Sequence, residues 1–121
     1  MMCALERIRR LCLAASGATE RLSHGSPCFF ASNKRQFAAF DDHHQPDGRI
    51  ALWLAAPLGA QELLMESDPE TFFRPPYVGV RGWVGVFVDR VDDDTLAGLI
   101  EEAHQTITRR RAGPEATPWV G

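Results

Sequence analysis

The sequence predicts an α+β fold of two layers: an antiparallel sheet of about five strands with helices on one face, in the order α-β-β-β-α-β-β-α. Three observations lead there. Apolar residues recur at helical spacing near the two ends; short runs rich in Phe, Val, Ile and Trp lie side by side between them; and Gly, Pro, Asn and Asp punctuate those runs. With 121 residues, 45% hydrophobic and 24% charged, the chain has a globular composition and a length that suits one core. The expected organisation is a single domain over residues 1–111 and a flexible tail over residues 112–121.

The first helix is expected from Met2 to Ala15, because Leu5, Ile8, Cys12 and Ala15 share a face while Arg7 and Arg10 lie off it, and Ser16-Gly17 stops it. Ala18 to Ser26 has no period and reads as a connection. Cys28 to Ala31 and Gln36 to Phe40 read as the arms of a hairpin around the polar turn Ser32 to Arg35, with Phe37 and Ala39 on one side. After the polar loop Asp41 to Gly48, the segment Arg49 to Ala55 is apolar enough for a covered strand. Pro57 suits the first turn of a helix, where it has no amide hydrogen to lose, and Gln61 to Glu66 continues with good helix formers.

Asp68-Pro69-Glu70 predicts a single turn ending near Phe73, and Pro75-Pro76 stops it. Tyr77 to Val80 reads as a short strand. Trp83 to Asp89 reads as a longer one, with Val84, Val86 and Val88 opposite Trp83, Gly85 and Phe87. Asp92 or Asp93 caps the last helix, whose stripe is Leu96, Leu99, Ile100, Ala103 and Ile107, and Arg109, Arg110 and Arg111 complement the negative end of its dipole.

Thirteen Lys and Arg against sixteen Asp and Glu leave a net charge of −3, which does not announce a nucleic-acid binder. The distribution is uneven. Residues 1–40 carry six cations against two carboxylates, residues 41–108 four against thirteen, and the last thirteen residues three against one. If the basic ends meet, helix 1, the Lys34-Arg35 turn and Arg109 to Arg111 form a surface able to follow a phosphate backbone; ordinary solvated helix faces explain the same charges without a partner. Cys3, Cys12 and Cys28 are odd in number and form no C-x-x-C pair, so reduced thiols and a cytoplasmic location are expected. Leu11 to Ala15 is too short for a signal-peptide core, and Ile50 to Ala60, broken by Pro57 and Gly59, falls short of a bilayer span.

The densest polar cluster is Asp41-Asp42-His43-His44-Gln45-Pro46-Asp47. It holds metal-ligand types, but adjacent His43 and His44 point to opposite sides of an extended chain, so the expectation is no metal and no cofactor. Ser23-His24 sets a hydroxyl beside an imidazole; sequence neighbours rarely reach catalytic geometry, and Ser26 sits in His-Gly-Ser-Pro rather than in G-x-S-x-G. Gly79-Val80-Arg81-Gly82 matches the bare G-x-x-G of a nucleic-acid clamp and equally a tight turn between two strands. Beside it, Arg81 and Trp83 suit phosphate binding and base stacking. No nucleophile, base and orienting group assemble, so the protein is expected not to be an enzyme.

A longer set of motifs runs from about Leu5 to Arg111: Leu11-Cys12-Leu13-Ala14, Gly17-Ala18-Thr19-Glu20, Ser23-His24-Gly25 before Pro27, the His43-His44 loop leading to Gly48-Arg49-Ile50-Ala51-Leu52-Trp53, Asp68-Pro69 with Phe72-Phe73, Pro75-Pro76-Tyr77-Val78-Gly79, and Arg81-Gly82-Trp83-Val84-Gly85. In this order they resemble the MmcQ/YjbR family. The resemblance implies a small bacterial cytoplasmic α+β domain with three strands after the first helix and a further pair before the last. It also implies the DNA binding through a double-wing arrangement for which members are commonly described, and a likeness to secretion-chaperone-like protein-binding domains. The wings would be the hairpins around Ser32 to Arg35 and around Gly79 to Gly82, with Lys34, Arg35 and Arg81 at their tips.

Two functional expectations follow. In the first, a non-enzymatic DNA-binding domain contacts phosphates through Arg7, Arg10, Lys34, Arg35 and Arg81, with Trp83 beside them. In the second, a protein- or small-molecule-binding module uses a cleft lined by His24, His43, His44, Tyr77, Arg81 and Trp83.

Overall fold

In the computed structural model, which describes residues 3–45 and 47–112, the side chains of residues 110–112 excepted, the elements run α1 (Ala4–Leu13), β1 (Thr19–Ser23), β2 (Ser26–Phe30), β3 (Gln36–Asp41), β4 (Ala51–Leu54), α2 (Ala60–Ser67), β5 (Phe72–Phe73), β6 (Val84–Phe87) and α3 (Asp93–Ala112). Every strand pairing is antiparallel and the sheet order is β1-β2-β3-β4-β6-β5. The α+β expectation holds, with a sixth strand. The expected tail, residues 112–121, overlaps the last residue of α3, Ala112; residues 113–121 lie outside the described residues, as do Met1 and Met2 at the other end.

Strand alternation sorts the sheet into two faces. The register aligns Cys28, Ala39, Trp53 and Gly85 in one cross-strand row, and Phe29, Ala38, Leu54 and Val84 in another on the opposite face. The second face, continued by Phe40, Leu52 and Val86, belongs to the core with Ile8 and Cys12 of α1 and Leu96, Ile100, Ala103 and Ile107 of α3. Of the helical stripes read from the sequence these six residues are buried, and Leu5, Ala15 and Leu99 are partly buried against them. Asp92 supplies the cap of α3, its Oδ1 accepting the Thr95 amide at 2.8 Å.

Three local expectations are overturned. The stretch read as a connection contains β1, an edge strand hydrogen-bonded only to β2; with no layer against most of it, its side chains carry no alternation to read. Tyr77 to Val80 is not a strand, and the second expected wing is not a hairpin. Pro75 and Pro76 bring no amide donors to a ladder, and the chain instead turns at Tyr77 into a single 3-10 turn, Val78–Arg81. The place beside β6 is taken by Phe72–Phe73, directly after the turn at Asp68 closed by the Thr71 and Phe72 amides. The first expected wing is present: Ala31 and Arg35 close the β2–β3 turn, with Lys34 at φ 69°.

Candidate functional site

A cleft of about 600 Å³ opens on the sheet face that carries Cys28, Ala39, Asp41 and Trp53. Three irregular segments close around it: the β1–β2 turn with His24, the loop after β3 with His43 and His44, and the turn holding Tyr77 and Arg81. Each is positioned by a specific backbone device. His24 (φ 54°) and Gly25 (φ 83°) form the two-residue loop between paired Ser23 and Ser26, with both residues left-handed as a tight hairpin requires.

Asp41, the last residue of β3, organises the second segment. Its Oδ1 accepts the backbone amides of His43 and His44 at 3.3 and 3.2 Å, which curls the chain back over the strand end. The same oxygen accepts from His44 Nδ1 at 2.7 Å, while His43 Nδ1 donates to Asp42 Oδ1 at 3.1 Å. A carboxylate can only accept, so both Nδ1 atoms carry protons and both Nε2 atoms are acceptors in the neutral rings. The two rings lie 4.4 Å apart, on the same side. Asp41 bends the loop, so the chain is not extended there and the two rings do not point to opposite sides. Among the described residues, the donor atoms of Asp41, His43 and His44 approach within 4.8 Å of one another, a group able to hold a metal ion.

Tyr77 has φ 66° and ψ −63°, and Val78 N–H donates to Pro76 C=O at 2.6 Å. This is a γ-turn of the strained sense, at a non-glycine residue. Its ring is exposed and sits 6.1 Å from His44, edge to face, and the Trp53 ring lies 5.1 Å from His44. His44 is thus in contact range of both aromatic rings. Strain of this kind costs about 1–3 kcal/mol and concentrates at ligand sites.

Two buried polar atoms in the cleft wall have no partner among the described residues: Asp41 Oδ2, on a residue 1% exposed, and Trp53 Nε1, on a residue 8% exposed. One is an acceptor and the other a donor. Cys28 shares the wall, and burial pushes its thiol up, partly offset by hydrogen bonding with Ser23 and Gln36.

Five of the six residues expected in a cleft, His24, His43, His44, Tyr77 and Arg81, line this one. The sixth, Trp83, is 2% exposed and lies in the core; Trp53 takes the aromatic place. Strand alternation from Ala39 carries Asp41 to the cleft face, whereas Phe37, expected on the same side as Ala39, packs on His104 of α3 because the β2–β3 register shifts beside it.

The residues expected to contact phosphate are dispersed. Arg7 donates to Asp93 at 2.6 Å and to the carbonyls of Val88 and Val91 at 2.7 Å each, and Arg10 donates to Asp93 at 2.7 Å; both staple α1 to the start of α3. Lys34 and Arg35 are exposed at the β2–β3 turn, and Arg81 is exposed with its guanidinium 5.4 Å from the Trp83 ring centroid. No helix among the described residues is long and apolar enough to cross a membrane.

The YjbR family pattern matches residues 13–106. Among solved structures, the Deinococcus radiodurans protein DR2400, described as a DUF419 domain, is similar with a TM-score of 0.72 and 21% identity, over 86% of this chain and 78% of that one. At that identity the likeness speaks for the fold alone. No curated protein matches the sequence. The family pattern covers most of the chain, and the protein belongs to the YjbR family.

Proposed function

We propose that this YjbR domain is a small-molecule-binding module whose site is the Asp41–Trp53 cleft, and that its ligand is flat and polar. The observation that carries this reading is the pair of unpartnered buried atoms, Asp41 Oδ2 and Trp53 Nε1, in one cleft wall. Each such group costs about 1–3 kcal/mol while unsatisfied, so a ligand that donates to the carboxylate and accepts from the indole recovers both. The rings of Trp53, His44 and Tyr77 offer faces and edges to a planar group, and Arg81 at the rim attracts an anionic substituent.

A thermal-shift screen of flat heteroaromatic acids and amides tests it. A binder present at about a hundredfold over its Kd raises Tm by on the order of 10 °C. Asp41→Asn and Trp53→Phe each abolish most of that shift. Failure of every compound to move Tm, or shifts retained in both variants, contradicts the reading.

One observation favours a second reading. Lys34, Arg35 and Arg81 are exposed and have no carboxylate within ion-pair distance among the described residues. In this reading the domain binds duplex DNA through its phosphates, as the family resemblance implies. Fluorescence anisotropy with a labelled duplex then reports an affinity that falls as salt rises, and Lys34→Gln, Arg35→Gln and Arg81→Gln each reduce the logarithmic salt slope by about one. An absence of binding at low salt removes it.

A further inference from the structure

On the far side of Arg81 lies a second cleft, of about 620 Å³, between the start of α2, the 3-10 turn and the last turns of α3. Three guanidinium groups line it: Arg74, Arg81 and Arg109. Among the described side chains outside this cleft, five arginines find acids, while Arg35 at the β2–β3 turn and Arg21, whose guanidinium lies over the Phe30 ring, do not. Arg7 and Arg10 pair with Asp93, Arg9 with Glu20, Arg49 with Asp89, and Arg90 with Asp68 and Glu70. The three in the cleft pair with none among the described residues, although Glu62 stands in the same wall.

Packing and neutral groups hold these arginines where they are. Arg74 lies across Gly79 so closely that a Cβ there would come within 2.7 Å of Arg74 Cγ, so only glycine leaves room for it. Arg109 donates to Gln105 Oε1 at 2.6 Å. Gln61, itself buried, donates to the carbonyls of Gly79 at 2.9 Å and Trp83 at 2.5 Å, tying the turn that carries Arg81 to α2.

Three cations against one carboxylate in a shared concavity repel one another, and a bound anion relieves that repulsion. Guanidinium forks match phosphate oxygens in pairs, and the volume falls within the range of small-molecule sites rather than that of a bare ion. We propose that this cleft binds a phosphoryl group, separately from the Asp41–Trp53 cleft. The chemistry is shared by a free phosphorylated compound and a nucleic-acid backbone, and the experiment separates them.

Pyrophosphate titrated into ¹⁵N-labelled protein at constant ionic strength is the probe. Saturable shifts are expected at the amides of Gly79, Gly82 and Gln61. Arg74→Gln and Arg109→Gln each weaken the affinity about tenfold with an otherwise unchanged amide spectrum. Lys34→Gln and Trp53→Phe leave the titration as in the wild type, which separates this cleft from the β2–β3 turn and from the Asp41–Trp53 cleft, with which it shares Arg81. Displacement of pyrophosphate by a short DNA duplex identifies a backbone phosphate as the source, and failure of the duplex to displace it identifies a free phosphorylated compound; either outcome supports the site. Absence of saturation, or wild-type titrations in both arginine variants, overturns it.

Discussion

Asp41 governs the cleft at the scale of single residues. One oxygen of its carboxylate holds two backbone amides and the His44 ring, and the other is left for a ligand or solvent. The sequence shows the cluster but not this division, since a carboxylate in a polar run reads as exposed whether or not it closes over a strand end. The strain at Tyr77 was equally illegible, because Tyr-Val-Gly-Val is a strand-like run and only the two prolines before it hint at a turn. Asp93 offers a prediction of its own. Hydrogen bonds from Arg7 and then Arg10 hold its carboxyl below the ordinary value of 3.8. A depressed folded pKa contributes stability that is complete above the unfolded value and is lost as pH falls through the folded one. Asp92, held down by the Thr95 amide, acts in the same direction. Chemical denaturation at a series of pH values should therefore show stability falling below about pH 4. Asp93→Asn should be less stable at neutral pH and show a shallower acid limb; an unchanged limb contradicts the role given to Arg7 and Arg10.

Among the elements, those with a covered face were legible and those without one were not. The stripes of α1 and α3 face the core and carry a helical period, while β2, β3, β4 and β6 are legible as short apolar runs because most of their residues are covered. β1 is an edge strand tied down by the paired contacts of Glu20 with Arg9 at 2.6 and 2.8 Å, a link between α1 and the sheet that no local pattern reveals. β5 is only two residues long, and Phe73 crosses to the glycine opposite it on β6, Gly85. A Cβ at Gly85 would collide with the Phe73 ring, so the glycine opens a slot for that ring. Gly85→Ala is expected to destabilise the protein by about 1–3 kcal/mol through overpacking. Gly85→Ala combined with Phe73→Leu should recover part of the loss. Equal stability of wild type and Gly85→Ala in urea denaturation contradicts that packing.

For the whole molecule, the uneven charge along the chain resolves differently in three dimensions. The basic first segment spends Arg7 and Arg10 on Asp93 and Arg9 on Glu20, so much of its excess is consumed inside the fold. Among the described side chains, the cations left without acids are Arg21 on β1, Lys34 and Arg35 at the β2–β3 turn, and a group around Arg81. The architecture could be read in outline from periodicity and more fully from the family motifs. The histidines, Tyr77 and Arg81 are legible as cleft residues by type, whereas the choice between Trp53 and Trp83 depends on the register of β4. The indole N–H of Trp53 is the most direct reporter on that cleft. Its ¹H–¹⁵N signal is identified by its loss in Trp53→Phe. On addition of a compound found by thermal shift, the signal should move downfield and saturate with the same affinity as the Tm response. A Trp53 signal that stays fixed while the compound binds would place the ligand elsewhere and contradict the assignment of the cleft.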